Sequence, residues 1–418
     1  MPDLLDQKII NAKTICRLCE GNNLDSVLDL TPTPLANEFV TSDLIKIDQP
    51  TFPLGLSLCE DCSHVQLKHV VNRNAMFTDY VYVSGTSKVF VEHFKNYAKQ
   101  VLDTFKPEKH SLVIDIGSND GTLLKFFRDA EYKVLGVDPA ENIAKLANDS
   151  GIETLIDFFD SKLAEEIMIN RGRAEVILAN NVFAHIDNLS DVTVGIRDLL
   201  TEDGIFIFEV SYLKDVVEKN LFDTIYHEHL SYHSLKPLTK FFHRHGMKII
   251  DAREVSSHGG SLRVTVQKAS GKKAVRDTVA ELLHAESELG LHKRQSIVSL
   301  ADKIDVLKNE LSQLLEEIKS KGMTIAGYGA PAKATTLLYE FGLAPYLEYI
   351  IDDSPLKQNL FTPGNHIPVF SYKKVIDHHP DFLIILAWNF AESIIRQNVS
   401  YLENGGHFIV PVPEISVH

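Results

Sequence analysis

The 418-residue sequence lacks any run of apolar residues near the length of about 18 to 20 that a membrane-spanning helix needs. Its first ten residues, MPDLLDQKII, carry acidic side chains where a secretory signal peptide carries basic ones, and they contain no apolar core segment. We therefore expect a cytoplasmic protein that does not have a membrane as a partner.

Basic residues are also scarce relative to acidic ones. Lys and Arg number 42 against 57 Asp and Glu, which gives a formal net charge of -15 at pH 7. Because binding to a nucleic-acid backbone needs an excess of positive charge, this balance excludes nucleic acid as the main partner. A local basic pocket for one small anion is still compatible with it. The length exceeds what one hydrophobic core supports, so two or three domains are expected.

Only four cysteines occur, and all of them lie in the first 62 residues. They form two C-x-x-C pairs, Cys16 with Cys19 and Cys59 with Cys62. Two such turns can complete a tetrahedral Zn2+ site, and four thiolate ligands leave no position open for chemistry. The alternatives are two disulfides, which are typical of exported proteins, and a redox-active pair, which needs only one C-x-x-C. The spacing favours a structural zinc site.

The chain divides into three parts, and the overall pattern predicts an α/β fold. Residues 1–75 form an N-terminal zinc-binding subdomain that is rich in loops. Residues 76–272 alternate short apolar runs with amphipathic stretches, which predicts β/α units on a parallel sheet. Residues 273–418 begin with one or two long helices over 274–320 and continue as a smaller Rossmann-like domain. Its predicted strands begin at Met323, Leu347, Phe382 and His407.

A glycine-containing loop follows the first predicted strand of the central part. The buried-strand pattern Leu112-Val-Ile-Asp-Ile116 leads into Gly117-Ser-Asn-Asp-Gly121 and then into a helix. The next strand ends at Asp138, where a carboxylate can reach a ribose diol. Strand, glycine loop and acidic residue together are typical of nucleotide-binding Rossmann-like folds, and they leave NAD open as a ligand.

Three details favour S-adenosylmethionine as the ligand of this loop. The loop reads D-x-G-x-x-x-G, with polar residues where a pyrophosphate would need bare backbone. The acidic Asp115 and Asp120 suit an ammonium and a sulfonium group. The following strands and turns occur in the order of a class I methyltransferase domain, with a candidate adenine-flanking segment at Asp157 and Phe158. The alternative is a glycine turn without a ligand. The predicted donor-binding residues are Asp115, Gly117, Asn119, Asp120, Gly121, Asp138, Asp157, Phe158, Asn180 and Tyr82.

A dense group of proton-transferring side chains follows the fifth strand. Residues 226–233, Tyr-His-Glu-His-Leu-Ser-Tyr-His, include three His, two Tyr and one Glu. Zinc binding by H-x-H lacks a recognisable third ligand, and a solvated polar loop is the other alternative, so proton transfer is favoured. His185 follows the fourth strand, where the acceptor is expected, and Tyr80 precedes the domain and can close over the donor.

At this point the chain resembles a known family, the C-methyltransferases that act on nucleotide-linked 4-keto-deoxysugars. The resemblance covers nearly the whole chain. It rests on the four-cysteine subdomain with Leu30-Thr-Pro-Thr-Pro-Leu-Ala-Asn-Glu-Phe39 between the pairs, Tyr226-His-Glu-His229, Ser257-His-Gly-Gly-Ser-Leu-Arg263 and Gly327-Tyr-Gly-Ala-Pro-Ala-Lys333. The order of these motifs is more specific than any one of them.

The resemblance implies a carbanion mechanism in branched-chain deoxysugar biosynthesis. In the family, the second His of Y-H-E-H removes the C-3' proton, which the neighbouring C-4 ketone acidifies; here this is His229. Tyr226 and His185 are expected to stabilise the oxyanion, Glu228 to orient His229 or hold a sugar hydroxyl, and Tyr80 to assist. The C-terminal domain is expected to bind the nucleotide diphosphate at Gly329 and the residues near it. The full set of expected substrate-binding residues is Tyr226, His229, Gly329, Lys333, Asp353 and Lys357.

Two other functions stay open from the sequence. One is O- or N-methylation of a sugar or another small molecule by the same donor-binding fold. The other is a zinc-bearing binding protein without turnover, against which the presence of Asp138, Tyr226 and His229 argues. A monomer is the expected oligomeric state.

Overall fold

The computed structural model describes residues 10–77, 83–86 and 88–418. The chain forms an N-terminal β subdomain, a central α/β domain, a helical connector and a C-terminal α/β domain, in the predicted order. Within the described ranges, no helix is both long and apolar enough to cross a membrane.

The N-terminal part is built from short antiparallel strands. β2, β3 and β4 pair in that order along one sheet, and β1 pairs with β5 in a separate ribbon. The cysteine pairs flank this sheet, since Cys59 ends β3 and the first pair precedes β2. The elements are β1 (Ile10–Ala12), β2 (Leu24–Thr33), β3 (Phe52–Cys59), β4 (Val65–Leu67), β5 (His69–Val71) and helix α1 (Arg73–Phe77).

The central domain has a seven-stranded sheet in the order β12-β13-β10-β9-β6-β7-β8. Its β strands are β6 (Leu112–Ile116), β7 (Lys133–Val137), β8 (Thr154–Leu155), β9 (Ala174–Asn180), β10 (Leu200–Ser211), β12 (Met247–Val255) and β13 (Ser261–Lys268). Its helices are α2 (Lys88–Phe105), α3 (Thr122–Asp129), α4 (Glu141–Asp149), α5 (Ser161–Arg171), α6 (Leu189–Leu199), α7 (Leu213–Glu218) and α8 (Leu235–Arg244).

This sheet differs from a dinucleotide-binding sheet at one edge. Every residue of β6 is buried, as expected for a parallel strand that is covered on both faces. Counted within the domain, the strand order is 3-2-1-4-5-7-6, in which the seventh strand, β13, runs antiparallel to both neighbours. The dinucleotide-binding order is 3-2-1-4-5-6. The inserted antiparallel strand therefore supports a methyltransferase-type sheet rather than an NAD-type sheet.

Two helices connect the central and C-terminal domains, as predicted. They are α9 (Asp277–Glu288) and α10 (Arg294–Ser320). The buried residues of α10 recur every three or four positions, so that one apolar stripe runs along the helix. These residues are Ile297, Leu300, Ile304, Leu307, Leu311, Leu315 and Ile318.

The C-terminal domain is a second Rossmann-like unit, and its four predicted strands are confirmed. Its sheet has the order β16-β15-β14-β17-β18-β19, and only β19 is antiparallel. The strands are β14 (Ile325–Tyr328), β15 (Ile350–Ile351), β16 (Val369–Phe370), β17 (Phe382–Ile385), β18 (His407–Val410) and β19 (Ser416–Val417). The helices are α11 (Ala332–Glu340), α12 (Lys373–His378), α13 (Ala391–Gln397) and α14 (Val399–Glu403).

One strand of the central chain segment leaves its own domain and completes the N-terminal sheet. This strand, β11 (Ser231–Tyr232), pairs antiparallel with β4, so the N-terminal sheet reads β11-β4-β3-β2. A continuous hydrophobic core joins this sheet with α7, α10 and the C-terminal domain. The boundaries at 75 and 272 stay predictions, and the packing crosses both of them.

Candidate active site

A large cavity lies where the three parts of the chain meet. Its volume is about 1170 Å3, larger than the roughly 300–1,000 Å3 of a pocket for one drug-sized ligand. It is lined by described residues from the N-terminal subdomain, from loops at the carboxyl ends of several strands of the central sheet, and from the C-terminal domain. The cavity therefore has room for two ligands side by side.

The glycine loop after β6 forms one wall of this cavity. Gly117 adopts φ +68°, and a Cβ atom there would lie 2.2 Å from Cγ2 of Val182, so only glycine fits. Asp138, at the end of β7, accepts the backbone N–H groups of Asn119 and Ala140 at 2.9 and 3.0 Å. These bonds fix the loop beside the cavity, next to the carboxylate that is predicted to bind a ribose.

Buried polar atoms at this wall have no hydrogen-bond partner among the described residues. They are Oδ1 of Asp115, Oγ of Ser118, and both Oδ1 and Nδ2 of Asn180. A buried polar atom without a partner costs about 1–3 kcal/mol, which a polar ligand would recover. Burial, followed by the charge of Asp138, raises the pKa of Asp115 to about 8. A cationic methionine group fits this set of acceptors.

Aromatic and cationic side chains form the outer end of the donor pocket. Asp157 and Phe158 both line the cavity, as predicted. The guanidinium of Arg73 lies 4.0 Å from the centroid of the Phe158 ring, so α1 of the N-terminal subdomain covers this end. Arg73 was not among the predicted site residues, and the sequence gives no signal for a contact between such distant segments.

Two predicted donor-binding residues do not line the cavity. Oδ1 of Asp120 accepts the backbone N–H and the hydroxyl of Thr122 at 3.2 and 2.7 Å, and its Oδ2 accepts the N–H of Gly85. Asp120 thus holds the start of α3. Acidic residues are favoured at this position because it lies at a helix N-terminus. Gly121 precedes α3 at φ +74° and faces Ile152. Tyr80 and Tyr82 lie outside the described residues.

The tautomer of His229 follows from its two hydrogen bonds. Nδ1 lies 2.7 Å from the carbonyl oxygen of Thr224, which can only accept, so Nδ1 carries the proton. Nε2 therefore has the lone pair, and the hydroxyl of Tyr226 donates to it at 2.9 Å. Burial lowers the pKa of His229 to about 4. The imidazole is neutral near pH 7, with Nε2 as its basic atom.

His185 lies against this pair. Its ring centroid is 5.1 Å from that of His229 and 5.7 Å from that of Phe77. Its Nε2 atom is buried and has no hydrogen-bond partner within residues 10–77, 83–86 and 88–418. Burial, followed by the neighbouring His229, lowers the pKa of His185 well below its usual value. Tyr226, His229 and His185 all line the cavity, as predicted.

Glu228 contacts the N-terminal subdomain, and its predicted role stays a prediction. The two ring nitrogens of His229 are bonded to Thr224 and Tyr226. Oε1 of Glu228 accepts the amide of Asn37 at 2.6 Å. The backbone carbonyl of Thr224 therefore orients the His229 imidazole, and the sequence carries no side-chain signal for this contact.

The N-terminal subdomain holds the rest of the histidine-rich segment. The N–H of Leu67 donates to the carbonyl oxygen of Leu230 at 3.0 Å, beside the pairing of β11 with β4. His64 lies 3.2 Å from the Ser231 hydroxyl and stacks on His233 at 5.4 Å. Leu230, Ser231 and His233 thus contact the subdomain, while Tyr226 and His229 line the cavity.

The four cysteines come together as predicted. Their Sγ atoms lie within 4.8 Å of one another, with Cys16 at 3.6 Å from Cys62 and Cys19 at 3.5 Å from Cys59. Zn–S bonds of about 2.3 Å in a tetrahedron separate sulfurs by about 3.8 Å, so the arrangement fits a closed Zn2+ site. All four are free thiols, not disulfides.

The first cysteine pair also contacts the central domain through Arg17. Its buried guanidinium donates from Nε to Asp187 at 2.9 Å and from one terminal nitrogen to the carbonyl oxygen of Leu67. Asp187 follows His185 by two residues and lines the cavity. The zinc-binding turn therefore supports the loop that carries His185 as well as the segment that carries His229.

The C-terminal domain contributes the opposite wall of the cavity. Gly329, Lys333, Asp353 and Lys357 all line it. Nζ of Lys357 donates to the carbonyl oxygen of Ala330 at 2.8 Å, whereas the buried Nζ of Lys333 has no hydrogen-bond acceptor in the described part of the chain. Burial lowers the pKa of both lysines, to about 8 for Lys333. Two buried lysines at this wall suit an anionic ligand.

An aspartate fixes the C-terminal loop after β14, as Asp138 fixes the loop after β6. Asp352 follows β15 and accepts the N–H groups of Ala330 and Ser354 at 2.7 and 2.8 Å. Asp353 also lines the cavity, and burial, followed by the charge of Asp352, raises its pKa. Asp353 is the predicted binding residue of this loop, and its neighbour Asp352 has a structural role that was not predicted.

Comparison with known proteins agrees with this three-part arrangement. Three family descriptions match in order: "Putative zinc binding domain" over residues 16–77, "Methyltransferase domain" over 90–252 and "C-methyltransferase C-terminal domain" over 256–413. Among solved structures, an S-adenosylmethionine-dependent methyltransferase from Clostridium acetobutylicum is 12% identical with a TM-score of 0.34, covering 44% of this chain and 92% of that one. Magnesium protoporphyrin IX methyltransferase from Synechocystis, with bound S-adenosylmethionine, is 15% identical with a TM-score of 0.33, covering 43% and 81%.

One curated relative matches along nearly the entire chain. The C-methyltransferase NovU of Streptomyces niveus is 36% identical over 409 residues, which are 98% of this chain and 97% of NovU. The donor wall, the four cysteines and the C-terminal domain described above all fall within that match. The chain therefore belongs to this family of S-adenosylmethionine-dependent C-methyltransferases with an N-terminal zinc-binding domain.

Proposed function

We propose that the methyl acceptor is C-3' of a nucleotide-linked 4-keto-deoxysugar, and that His229 is the base that activates it. The observation that carries this proposal is the neutral His229 imidazole, whose basic Nε2 lies in the cavity that the donor wall shares with the lysine-bearing C-terminal wall. A base is needed for attack from carbon, because a C–H group must lose its proton before it can act as a nucleophile.

The donor residues are assigned from the wall after β6. Asp115, Asn180 and the Gly117–Asn119 loop hold the methionine part, Asp138 holds the ribose, and Asp157 with Phe158 flanks the adenine. When bound, the donor supplies an electrophilic methyl group, which the acceptor carbanion takes as the S–CH3 bond breaks. These residues bind and orient the donor, and none of them is required to move a proton.

Proton transfer is assigned to the Tyr226–His229 pair. Nε2 of His229 takes the C-3' proton, and the electron pair of the C–H bond moves toward the C-4 oxygen. The single lone pair of Nε2 has to leave the Tyr226 hydroxyl before it can accept this proton, and the released hydroxyl then donates to the developing oxyanion. His185, whose Nε2 has no hydrogen-bond partner among the described residues, is the second group assigned to that oxygen.

The nucleotide diphosphate is assigned to the C-terminal wall. The N-terminus of α11 and the ammonium of Lys333 both favour negative charge, and Gly329 allows the backbone to approach the phosphates closely. Asp353 and Lys357 complete the expected contacts. The substrate would then span the cavity, with its sugar between this wall and His229.

Deuterium exchange without the methyl donor tests the proposed acceptor. In heavy water, the enzyme is expected to incorporate deuterium at C-3' of a nucleotide-linked 4-keto-deoxysugar. Mass spectrometry measures this incorporation. Panels of nucleotide sugars with and without the 4-keto group are then compared for methyl incorporation. Methyl transfer to oxygen or nitrogen of a substrate that lacks the ketone would overturn the carbanion proposal.

A further inference from the structure

Helix α11 connects the anion-binding wall with the turn that precedes the base. At its first turn, Lys333 lines the cavity. One turn later, the hydroxyl of Thr336 donates to the carbonyl oxygen of Ile225 at 2.7 Å. Both side chains are buried, so one face of a nine-residue helix contacts the cavity at its start and the 222–226 turn just beyond it.

A second contact between the same two elements runs through Trp388. The ammonium of Lys333 lies 3.4 Å from the centroid of the Trp388 ring, in cation–π geometry. The indole Nε1–H of Trp388 donates to Oδ2 of Asp223, which is fully buried and feels the Lys333 charge. The other oxygen of Asp223 and the Lys333 ammonium have no hydrogen-bond partner in the ranges that the structure describes.

These contacts end at the group that sets the tautomer of the base. Asp223 precedes Thr224, whose carbonyl oxygen accepts the Nδ1–H of His229. Ile225, which Thr336 holds, follows Thr224 directly. Both neighbours of the orienting carbonyl are therefore anchored to the C-terminal domain, one through Trp388 and one through α11.

We propose that α11 is a positioning element, which fixes the 222–226 turn and thereby the His229 imidazole when an anion occupies the site beside Lys333. The inference rests on the proposed function, because it assigns the nucleotide diphosphate of the substrate as that anion. It adds that the diphosphate increases the rate of proton removal and does not only hold the substrate. Asp223, Trp388 and Thr336 do not line the cavity. They act through Lys333 and His229, so they are positioning residues in this arrangement.

The energetic reason is that a buried, unpaired ammonium is costly until an acceptor arrives. An anion beside Lys333 supplies that acceptor, and the contacts of Lys333 with Trp388 and of Trp388 with Asp223 link the anion site to the 222–226 turn. Binding energy from the remote part of the substrate is then used at the reacting centre, so that a truncated substrate loses rate as well as affinity.

The test uses the full chain and a 4-keto-deoxysugar that lacks the nucleotide diphosphate. Deuterium incorporation at C-3' is measured at saturating sugar with and without inorganic pyrophosphate. Pyrophosphate is expected to raise the wild-type rate by about tenfold or more, and to have no effect on Lys333→Met. Lys333→Arg keeps the cation and is expected to recover part of the activation.

Two valine substitutions on α11 provide a matched comparison. Thr336→Val removes the bond to Ile225, whereas Thr335→Val removes a bond to Ala36 in the N-terminal subdomain, at 3.3 Å. Thr336→Val is expected to lose most of the pyrophosphate activation and to lower kcat for the complete substrate with little change in KM. Thr335→Val is expected to retain both, and Asp223→Asn to behave like Thr336→Val. Donor affinity, measured by calorimetry, checks that each variant is folded.

The outcomes separate this proposal from the proposed function. If the complete nucleotide sugar shows no deuterium incorporation with the wild type, the proposed function fails, and this inference with it. If the complete substrate exchanges but pyrophosphate gives no activation, or Thr336→Val and Thr335→Val respond alike, only the positioning role of α11 is overturned.

Discussion

The two Rossmann-like units of this chain share one local feature, an aspartate after the second strand that fixes a glycine loop. In the central domain, Asp138 follows the second strand and accepts one N–H from the glycine loop and one from two residues further on. In the C-terminal domain, Asp352 does the same with Ala330 and Ser354. In both units this carboxylate fixes the loop, so it cannot by itself decide what binds there.

The side chains around each loop make the difference. The loop after β6 is surrounded by Asp115, Asp157 and the amide of Asn180, which has no hydrogen-bond partner among the described residues. The C-terminal loop is flanked by the buried Lys333 and Lys357. A protein whose net charge is -15 can thus have one acidic wall and one lysine-bearing wall in the same cavity, because each wall depends on a few buried groups and not on the overall charge.

The largest expected effect is a loss of methyl transfer without a loss of donor binding. His229→Asn should lower methyl transfer by about 100- to 10,000-fold, because the basic Nε2 is lost, while donor affinity stays the same. Labelled-methyl transfer and donor calorimetry measure the two quantities. His243→Asn, at the exposed end of α8, is the control and should be fully active. Full activity of His229→Asn would refute its role as the base.

Removal of zinc tests next whether proton removal from the acceptor depends on the metal while donor binding does not. Chelation should slow C-3' exchange by about 100-fold, because loss of the metal releases β4 and Arg17, which hold the segments of His229 and His185. Donor affinity should change only a few-fold, and added Zn2+ should restore exchange. A parallel loss of donor binding would show that the metal supports both sides equally.

Matched substitutions of the two loop carboxylates sharpen the comparison directly. Asp138→Asn should raise the donor Kd by about 10- to 100-fold, since it weakens charge-assisted bonds to the loop and to the ribose. Asp352→Asn should leave the donor Kd unchanged and raise KM for the nucleotide sugar. Calorimetry and steady-state kinetics give these values. The idea that each carboxylate serves its own ligand fails if both variants weaken donor binding.

The smallest expected effect is the pH dependence of donor binding. The pKa of Asp115 is raised to about 8 by burial and by Asp138, so without ligand its carboxyl is largely protonated below that pH. The donor cation favours the ionised form, and donor affinity should therefore fall, by up to about fivefold, as the pH is lowered from 8 to 7. Asp115→Asn should bind more weakly and show no such dependence in this range. An equal pH dependence in the variant would exclude Asp115 as its source.

The sequence allowed prediction of those features that depend on local pattern. The C-x-x-C pairs, the strand that ends at Asp138 and the clustered Tyr226 and His229 are all short-range signals, and each lies where its pattern indicated. The contacts that orient the site were not predictable in this way. Thr224 acts through its backbone carbonyl, and Arg73 meets Phe158 only after the two domains pack together.

The donor-binding role of Asp120 stays a prediction, and its contacts show a second role for the residue. Asp120 suited a cationic ligand by charge, yet its carboxylate holds the start of α3, a role that any acidic residue near a helix N-terminus can take. Composition cannot separate these roles, because both favour the same residue at the same loop position. The shared position of Asp138 and Asp352, each directly after the second strand of its unit, was, by contrast, a signal available in the sequence for the structural role of Asp352.

The pairing of β11 with β4 has a consequence for how the chain folds during synthesis. The N-terminal sheet lacks its fourth strand until residues 231–232 have left the ribosome, some 165 residues after β4. Until then β4 is an open edge, and open edges recruit other strands. An isolated N-terminal fragment is therefore expected to associate with itself even with its metal bound. Because β11 directly follows the segment that carries His229, the N-terminal sheet is completed only after that segment has been synthesised. A chain truncated before His229 therefore lacks both the complete sheet and the proposed base.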